Sequence, residues 1–417
     1  MRLWKHFRQL LILPRSRQAP MYFLGLMLLF WTLYEGMIAY LTPLVIANAG
    51  FSKTMIGIII GSASVAGALF DFVACRIFPQ ATFRRLFLFV FILCLTYPIL
   101  LFKANSLLVY LIAMAIWGIY YDLKNISCLD FVARATKKTE HTESFAVISI
   151  YQSIGFLIGP IIVGIFVADA YDWKPFAMAY IFLFISFCFF LGLLFLSRQT
   201  KVKQPKKSIP QIVFLAEWNL WRKVSIVLFP VLFLGFFLNT IDAFFWTIGP
   251  LIAESFVGLN HFAGLFMTAY TLPALIVGWG VGSLTRKFGK KRTSYVTLLI
   301  GSLLLCPLLF LTNPLFIVIN VFLSSLSLSL CWPALSGAYA DYISETDKYA
   351  KEIETVVDCS TNIGYVVGPV LAGISADHFG NAGAFFWLGL VGAGISIMLL
   401  ITTSHPISVL KSLSKRN

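Results

Sequence analysis

The sequence predicts an all-α membrane protein of twelve transmembrane helices in two pseudo-symmetric six-helix halves. Three observations predict it. Hydrophobic residues make up 59% of the 417 residues and charged residues 12%, with a mean hydropathy of +0.86, whereas a soluble domain carries about 25% charged residues. The chain also says most things twice. Gly155, Gly159 and Pro160 recur as Gly364, Gly368 and Pro369, 209 residues on. Glu35 stands eight residues before Pro43 and Asp242 eight before Pro250; Asp130 pairs with Asp341, and Gly67 with Gly282. A repeat of this length in so apolar a chain points to a duplicated bundle, not to a short-period solenoid. Finally, basic residues are segregated, as set out below.

A span needs about 20 predominantly apolar residues. Between charges and turn residues lie twelve: 21–47, 54–75, 86–102, 106–123, 144–168, 175–197, 224–252, 259–284, 293–312, 314–337, 356–376 and 383–403. They are expected to be helices, because an open sheet leaves its backbone unsatisfied in hydrocarbon. The expected organisation is a first half over 1–197, a basic amphipathic linker over 198–223, and a second half over 224–417 with a short tail. Leu3, Trp4, Phe7, Leu10 and Leu11 suggest a short helix lying on the inner surface, and Ile212 to Trp221 a second amphipathic stretch. No cleavable signal is read in the first residues.

Of the 32 Lys and Arg, 29 fall in the segments that are cytoplasmic if the N-terminus is inside, leaving Lys53, Lys103 and Lys174 outside. This bias predicts cytoplasmic termini, in the plasma (cell inner) membrane. It also accounts for the formal charge of +14 through topology and anionic lipid, with no nucleic acid required. The seven cysteines lack C-x-x-C spacing and read as buried small hydrophobes. No histidine falls mid-span, which argues against a histidine proton relay, and no metal or cofactor is implied.

Two tandem six-helix halves, a basic central loop and two loop motifs together resemble the major facilitator superfamily of secondary transporters. The loop pattern G-x-L-x-D-R-x-G-R-R is matched in part by Gly67, Leu69, Asp71 and Arg76, with Ala74 in place of the second Gly and Arg84 and Arg85 after an insertion. Its second copy reads Gly282, Leu284, Arg286, Gly289, Lys290 and Lys291. In that family the loop is a conformational latch, so the resemblance implies gating by Asp71 with Arg76 or Arg84, with Arg286 on the second copy. The arginine often found in span 4 of proton-coupled members is missing, since Leu107 to Tyr121 contains no base. Span 5 resembles the exporter motif G-x-x-x-G-P-x-x-G-G, and span 11 repeats it. Packing among spans 2, 5, 8 and 11 is the expectation for these glycines.

Only Glu35 and Asp242 are acids well inside spans, at equivalent sites in spans 1 and 7. A mid-membrane carboxylate costs roughly 2.5–3.5 kcal/mol on insertion scales, so it should face a cavity or a partner. Helical spacing sets Trp31 beside Glu35, and Asn239 and Trp246 beside Asp242. Tyr121, Gln152 and Asn362 complete a candidate proton and substrate set, which the family's fold would bring to a central cavity. Aromatic rings around an acid suit an amphipathic or cationic ligand. Asp358, aligned with Ser149, is a candidate latch residue or a helix cap, and Asp122 with Lys124 reads as an interfacial ion pair.

The expected function is secondary transport of a small solute by alternating access, with protons as the coupling ion and export of an amphipathic or cationic compound favoured. The alternatives are import of a metabolite or a receptor without flux. Without a Walker A loop, G-x-S-x-G or H-E-x-x-H, no enzyme is expected and no catalytic residue is assigned. The protein is expected to work as a monomer.

Overall fold

The computed structural model describes residues 19–77, 83–136, 141–167, 172–198, 214–256, 263–277, 280–346 and 349–402. Every regular element among them is helical. In chain order they are α1 (Ala19–Asn48), α2 (Lys53–Ile77), α3 (Phe83–Lys103), α4 (Leu107–Ala135), α5 (His141–Val167), α6 (Lys174–Arg198), α7 (Phe214–Glu254), α8 (Leu265–Val277), α9 (Val281–Phe288), α10 (Lys290–Leu305), α11 (Pro314–Glu345) and α12 (Ala350–Thr402). Ten of these helices are long and apolar enough to cross a membrane, and the bent pair α8–α9 makes eleven. α12 is 53 residues long and breaks at Gly380, whose φ of 74° suits a residue without Cβ. It therefore supplies spans 11 and 12, and the count reaches twelve.

Two boundaries differ from those expected. Span 4 does not stop at residue 123: α4 continues to Ala135, so Lys124 lies inside a helix and is buried. The amphipathic stretch before span 7 is continuous with it, since α7 begins at Phe214. The proposed surface helix near the N-terminus and the basic start of the linker lie outside the described residues.

The chain forms two compact units, one of residues 1–42 and 66–208 and the other of residues 43–65 and 209–417. In the first, α1 is the central helix, with Leu24, Leu28, Trp31, Tyr34 and Ile38 fully buried. Phe30 stacks on Phe189, and Trp31 lies 4.3 Å from Phe91. The hydroxyl of Ser186 on α6 donates to the Met27 carbonyl at 2.8 Å. In the second unit α7 is central. Phe245 packs on Tyr270 at 3.9 Å and on Phe385 at 4.8 Å. Tyr339 and Ser360 donate to the Val231 and Leu232 carbonyls at 2.9 and 2.7 Å. Polar side chains thus tie helices together through backbone oxygens, a common bond where lipid gives no apolar driving force between helices.

The surface is apolar. Phe184, Phe195, Phe310 and Ile401 are each more than 60% exposed, as expected of helices whose solvent is hydrocarbon. Cys188 and Cys359 share this exposure, so the expectation of buried cysteines holds for Cys94, Cys128 and Cys331 but not for these two.

Candidate functional site

The G-x-x-x-G-P helices set the position of both intramembrane acids. A Cβ on Gly155 of α5 would sit 2.7 Å from the Leu33 nitrogen, and one on Gly159 would sit 2.9 Å from the Met37 nitrogen. In the other unit, a Cβ on Gly364 would fall 2.7 Å from the Asn239 Cβ, and one on Gly368 would fall 2.6 Å from the Ala243 Cβ. Each motif therefore lays its helix against the acid-bearing helix, bracketing Glu35 in one unit and Asp242 in the other. Within each unit the first two glycines of the motif meet span 1 or span 7, and span 11 also meets span 2, where a Cβ on Gly373 would fall 2.7 Å from the Lys53 carbonyl carbon. Small residues here allow backbone approach, while Pro160 and Pro369 lie inside their helices.

Glu35 is 1% exposed, and so is its partner, Lys124 of α4. The Lys124 ammonium donates to Oε1 at 2.6 Å and to Oε2 at 2.5 Å. Its Nζ also lies 4.5 Å from the Tyr121 ring centroid, a cation–π contact. The Trp31 indole N–H faces the same carboxylate but has no hydrogen bond of good geometry. Asp122 takes no part in this pair. Its carboxylate sits against Gly67, where a Cβ would collide with it, so that glycine lets α2 approach α4. The expected Asp122–Lys124 ion pair is thus replaced by Glu35–Lys124.

Elsewhere in the same unit lies a cluster of hydroxyls. The Thr42 hydroxyl lies 2.8 Å from the Ile38 carbonyl and 2.8 Å from the Tyr97 hydroxyl, and it can bond to either. Tyr34 donates to the Cys94 carbonyl at 2.7 Å.

Asp242 has different company. The Tyr270 hydroxyl of α8 donates to Oδ1 at 2.5 Å and the Tyr365 hydroxyl of α12 to Oδ2 at 2.9 Å, with Trp246 one turn along α7. Asp242, Tyr270, Tyr365 and Trp246 are all part-buried, and among the described residues no cation pairs with the carboxylate. Asn239 is turned away, donating to the Gly235 carbonyl at 2.8 Å. Gln152 and Asn362 are part-buried on α5 and α12, and Tyr121 is 42% exposed. Sequence reasoning missed Lys124 and Tyr365. The signal for the first was the need of a buried carboxylate for a counter-charge.

The proposed latch residues Asp71, Arg76, Arg84, Arg286 and Asp358 are described only in part. The side chains of Asp71 and Arg76 lie outside the described residues. The Arg84 guanidinium lies 5.7 Å from the Phe83 ring centroid, and Arg286 and Asp358 are exposed. The repeat finds use elsewhere: Asp130 accepts from the Phe83 backbone N–H at 3.2 Å, and its counterpart Asp341 pairs with Lys290 at 2.6 Å. Each acid ties the end of one helix to the start of another. No group of potential metal ligands occurs among the described residues.

A family profile described as Major Facilitator Superfamily matches residues 22–256 and again 231–416. Among solved structures, the nucleoside transporter NupG is 16% identical, with 95% of this chain and 99% of that one covered at a TM-score of 0.67. A bacterial homolog of the human lysosomal transporter Spinster is 12% identical, with 97% and 98% covered and a TM-score of 0.67. A POT family transporter in complex with 5-aminolevulinic acid is 16% identical, with 91% and 95% covered and a TM-score of 0.70. No curated protein matches the chain. At these identities the likeness is one of fold.

Proposed function

This chain belongs to the Major Facilitator Superfamily, so it is a membrane transporter and not an enzyme, and we propose that it couples proton movement to transport of a small amphipathic compound carrying a cationic group. The observation that carries this reading is the Glu35–Lys124 pair. Two buried charges that neutralise each other form an element with two states. One proton added to the carboxylate dissolves the ion pair and leaves the ammonium without its counter-charge, which the surroundings must answer by rearranging.

Asp242 is the acid assigned to the solute. Among the described residues it has no cation of its own, its two phenol donors hold it in place, and Trp246 offers a ring face to an organic ammonium. A proton and a cationic group exclude each other at one carboxylate, and mutual exclusion gives exchange. The proposed direction is therefore export against protons, by a monomer in the plasma membrane with cytoplasmic termini, the halves 1–197 and 224–417 alternating access to the site.

A second reading is proton-coupled import of a metabolite. It is favoured by the phenols at Asp242, which also suit a neutral or zwitterionic ligand, and by solved relatives described as nucleoside transporter and POT family transporter.

Proteoliposomes with an imposed pH gradient test both. Gradient-driven movement of ethidium, lost in Glu35→Gln and Asp242→Asn, supports exchange. Uptake of a nucleoside or dipeptide with the proton gradient supports import. Flux unchanged in both variants overturns the coupling assignment.

A further inference from the structure

The corner where α9 turns into α10 carries the densest run of positive charge in the sequence. Five of the seven residues from Arg286 to Arg292 are basic, and none from 280 to 296 is acidic. Two of the five are used by the protein itself. The Lys290 ammonium donates to the Asp341 carboxylate at 2.6 Å and to the Gly337 carbonyl at 3.1 Å, and Lys291 lies 6.0 Å from the Tyr342 ring centroid. Both therefore lie against α11. Arg286, Lys287 and Arg292 are exposed, and among the described residues none of them meets an acid. Beside them Phe288 is 48% exposed, with the Lys287 ammonium 5.2 Å from its ring centroid.

Arg292 also heads an apolar stripe. Further along α10, Val296, Ile300 and Leu303 are exposed, at spacings of four, four and three residues that keep all of them on one helix face. The opposite face is spent on packing. Tyr295, Leu298 and Leu305 are buried there, and a Cβ on Gly301 would stand 2.7 Å from Leu328 of α11. From Arg292 to Leu303 the helix rises about 16 Å, and half of a bilayer's hydrocarbon core is about 15 Å. A cation at the head of such a stripe matches the headgroup and chain length of one lipid in one leaflet.

Positive charge at a span end is general; the surplus at this corner is not. The start of α3 matches it 207 residues earlier, where Arg84 and Arg85 correspond to Lys291 and Arg292. Ile92, Leu95, Ile99 and Phe102 are exposed there in the same way. At α3, however, the protein supplies its own anion, because the Asp130 carboxylate accepts from the Phe83 backbone N–H at 3.2 Å. At α10 the corresponding acid, Asp341, is already taken by Lys290. The corner keeps its surplus, and crowded cations repel one another until an anion joins them.

We propose that the α9–α10 corner binds one anionic phospholipid, its phosphate held by Arg292 with Arg286 and Lys287, its acyl chains lying along Val296, Ile300 and Leu303. The site involves neither Glu35 nor Asp242, so loss of the coupling assignment leaves it standing.

Native mass spectrometry of the purified protein, with dioleoylphosphatidylglycerol or dioleoylphosphatidylcholine added in detergent, resolves each bound lipid. The first phosphatidylglycerol is expected to bind roughly tenfold more tightly than the first phosphatidylcholine. Arg292→Gln should reduce that preference to about twofold. Arg85→Gln, the matching change on α3, should leave it intact. Ile300→Asn should weaken both lipids and leave their ratio unchanged. Equal affinity of the two lipids for the parent protein overturns the proposal without recourse to any variant, as does a preference lost equally in Arg292→Gln and Arg85→Gln. Displacement of the lipid by millimolar inorganic phosphate would make this a phosphate site and overturn the part given to the acyl chains. A dimer that Ile300→Asn breaks would assign the face to a second copy instead.

Discussion

Glu35 and Lys124, 89 residues apart in sequence, meet at 2.5 Å with both side chains 2% exposed. Asp242, which the repeat aligns with Glu35, meets two phenols instead. The two units thus carry the same acid in opposite electrostatic settings: one neutralised from within, the other still able to receive a charge.

That difference predicts a double-mutant cycle. Glu35→Gln strands a buried ammonium and is expected to cost about 3–5 kcal/mol of stability. Adding Lys124→Met should recover most of it, because the second change removes the stranded charge. Thermal melting in detergent reads both. A double variant destabilised by the sum of the Glu35→Gln and Lys124→Met effects would show that the two residues are not coupled.

Asp242→Asn is predicted to behave differently. An amide oxygen can still accept a phenol hydrogen, so the stability change should stay within about 1 kcal/mol. Binding is where the loss should appear. Ethidium is expected to raise the melting temperature of the parent protein and not that of the variant, and an equal shift in both would remove Asp242 from the solute site.

Gly364→Ala and Gly155→Ala press a methyl group into the helices that carry the acids. Overpacking of this kind typically costs about 1–3 kcal/mol. Because Gly364 abuts Asn239, three residues from Asp242, the cost should be accompanied by a fall in transport. Gly394→Ala, with nothing within 4 Å of its Cβ position, is the control expected to leave both unchanged.

Asp377 predicts a pH dependence. Burial alone would push its carboxyl up, but the Thr54 hydroxyl, the Thr54 and Lys53 backbone N–H groups and the Lys53 charge outweigh it and hold the group below its ordinary value. A depressed acid adds stability that is present above its unfolded pKa, about 3.9, and is lost as pH falls through the folded value. Melting temperatures of the parent and Asp377→Asn should therefore differ at pH 6 and converge as the carboxylate is protonated in acid. A constant difference would show that the carboxylate's charge adds nothing to its bonds with Lys53 and Thr54.

Much of this was legible in the sequence, for physical reasons. Hydrocarbon demands long apolar helices, so composition and spacing revealed the spans and the duplication. The acids stood out because a carboxylate in lipid is expensive. Lys124 did not, because a base next to Asp122 looks like the end of a span; only its pairing with Glu35 allows α4 to carry it inward. Tyr365 was hidden beside Gly364, where the motif drew attention to the glycine. No latch could be read for Arg84, Arg286 and Asp358, since spacing along the chain fixes no contact between distant segments. The bonds from the Thr54 and Lys53 backbone N–H groups to Asp377 join positions 323 and 324 residues apart, a separation at which no periodicity speaks.

The Glu35–Lys124 bond also has a place in time. Ribosomal synthesis delivers α1 first, with a bare carboxylate, and the ammonium that answers it is made 89 residues later. Until α4 arrives, the first span carries an unpaid insertion cost of a few kcal/mol and has reason to linger at the translocon or the lipid interface. Correct settling of α1 is thereby tied to completion of α4, and a truncation before Lys124 should leave α1 less firmly in the membrane than one just after α4.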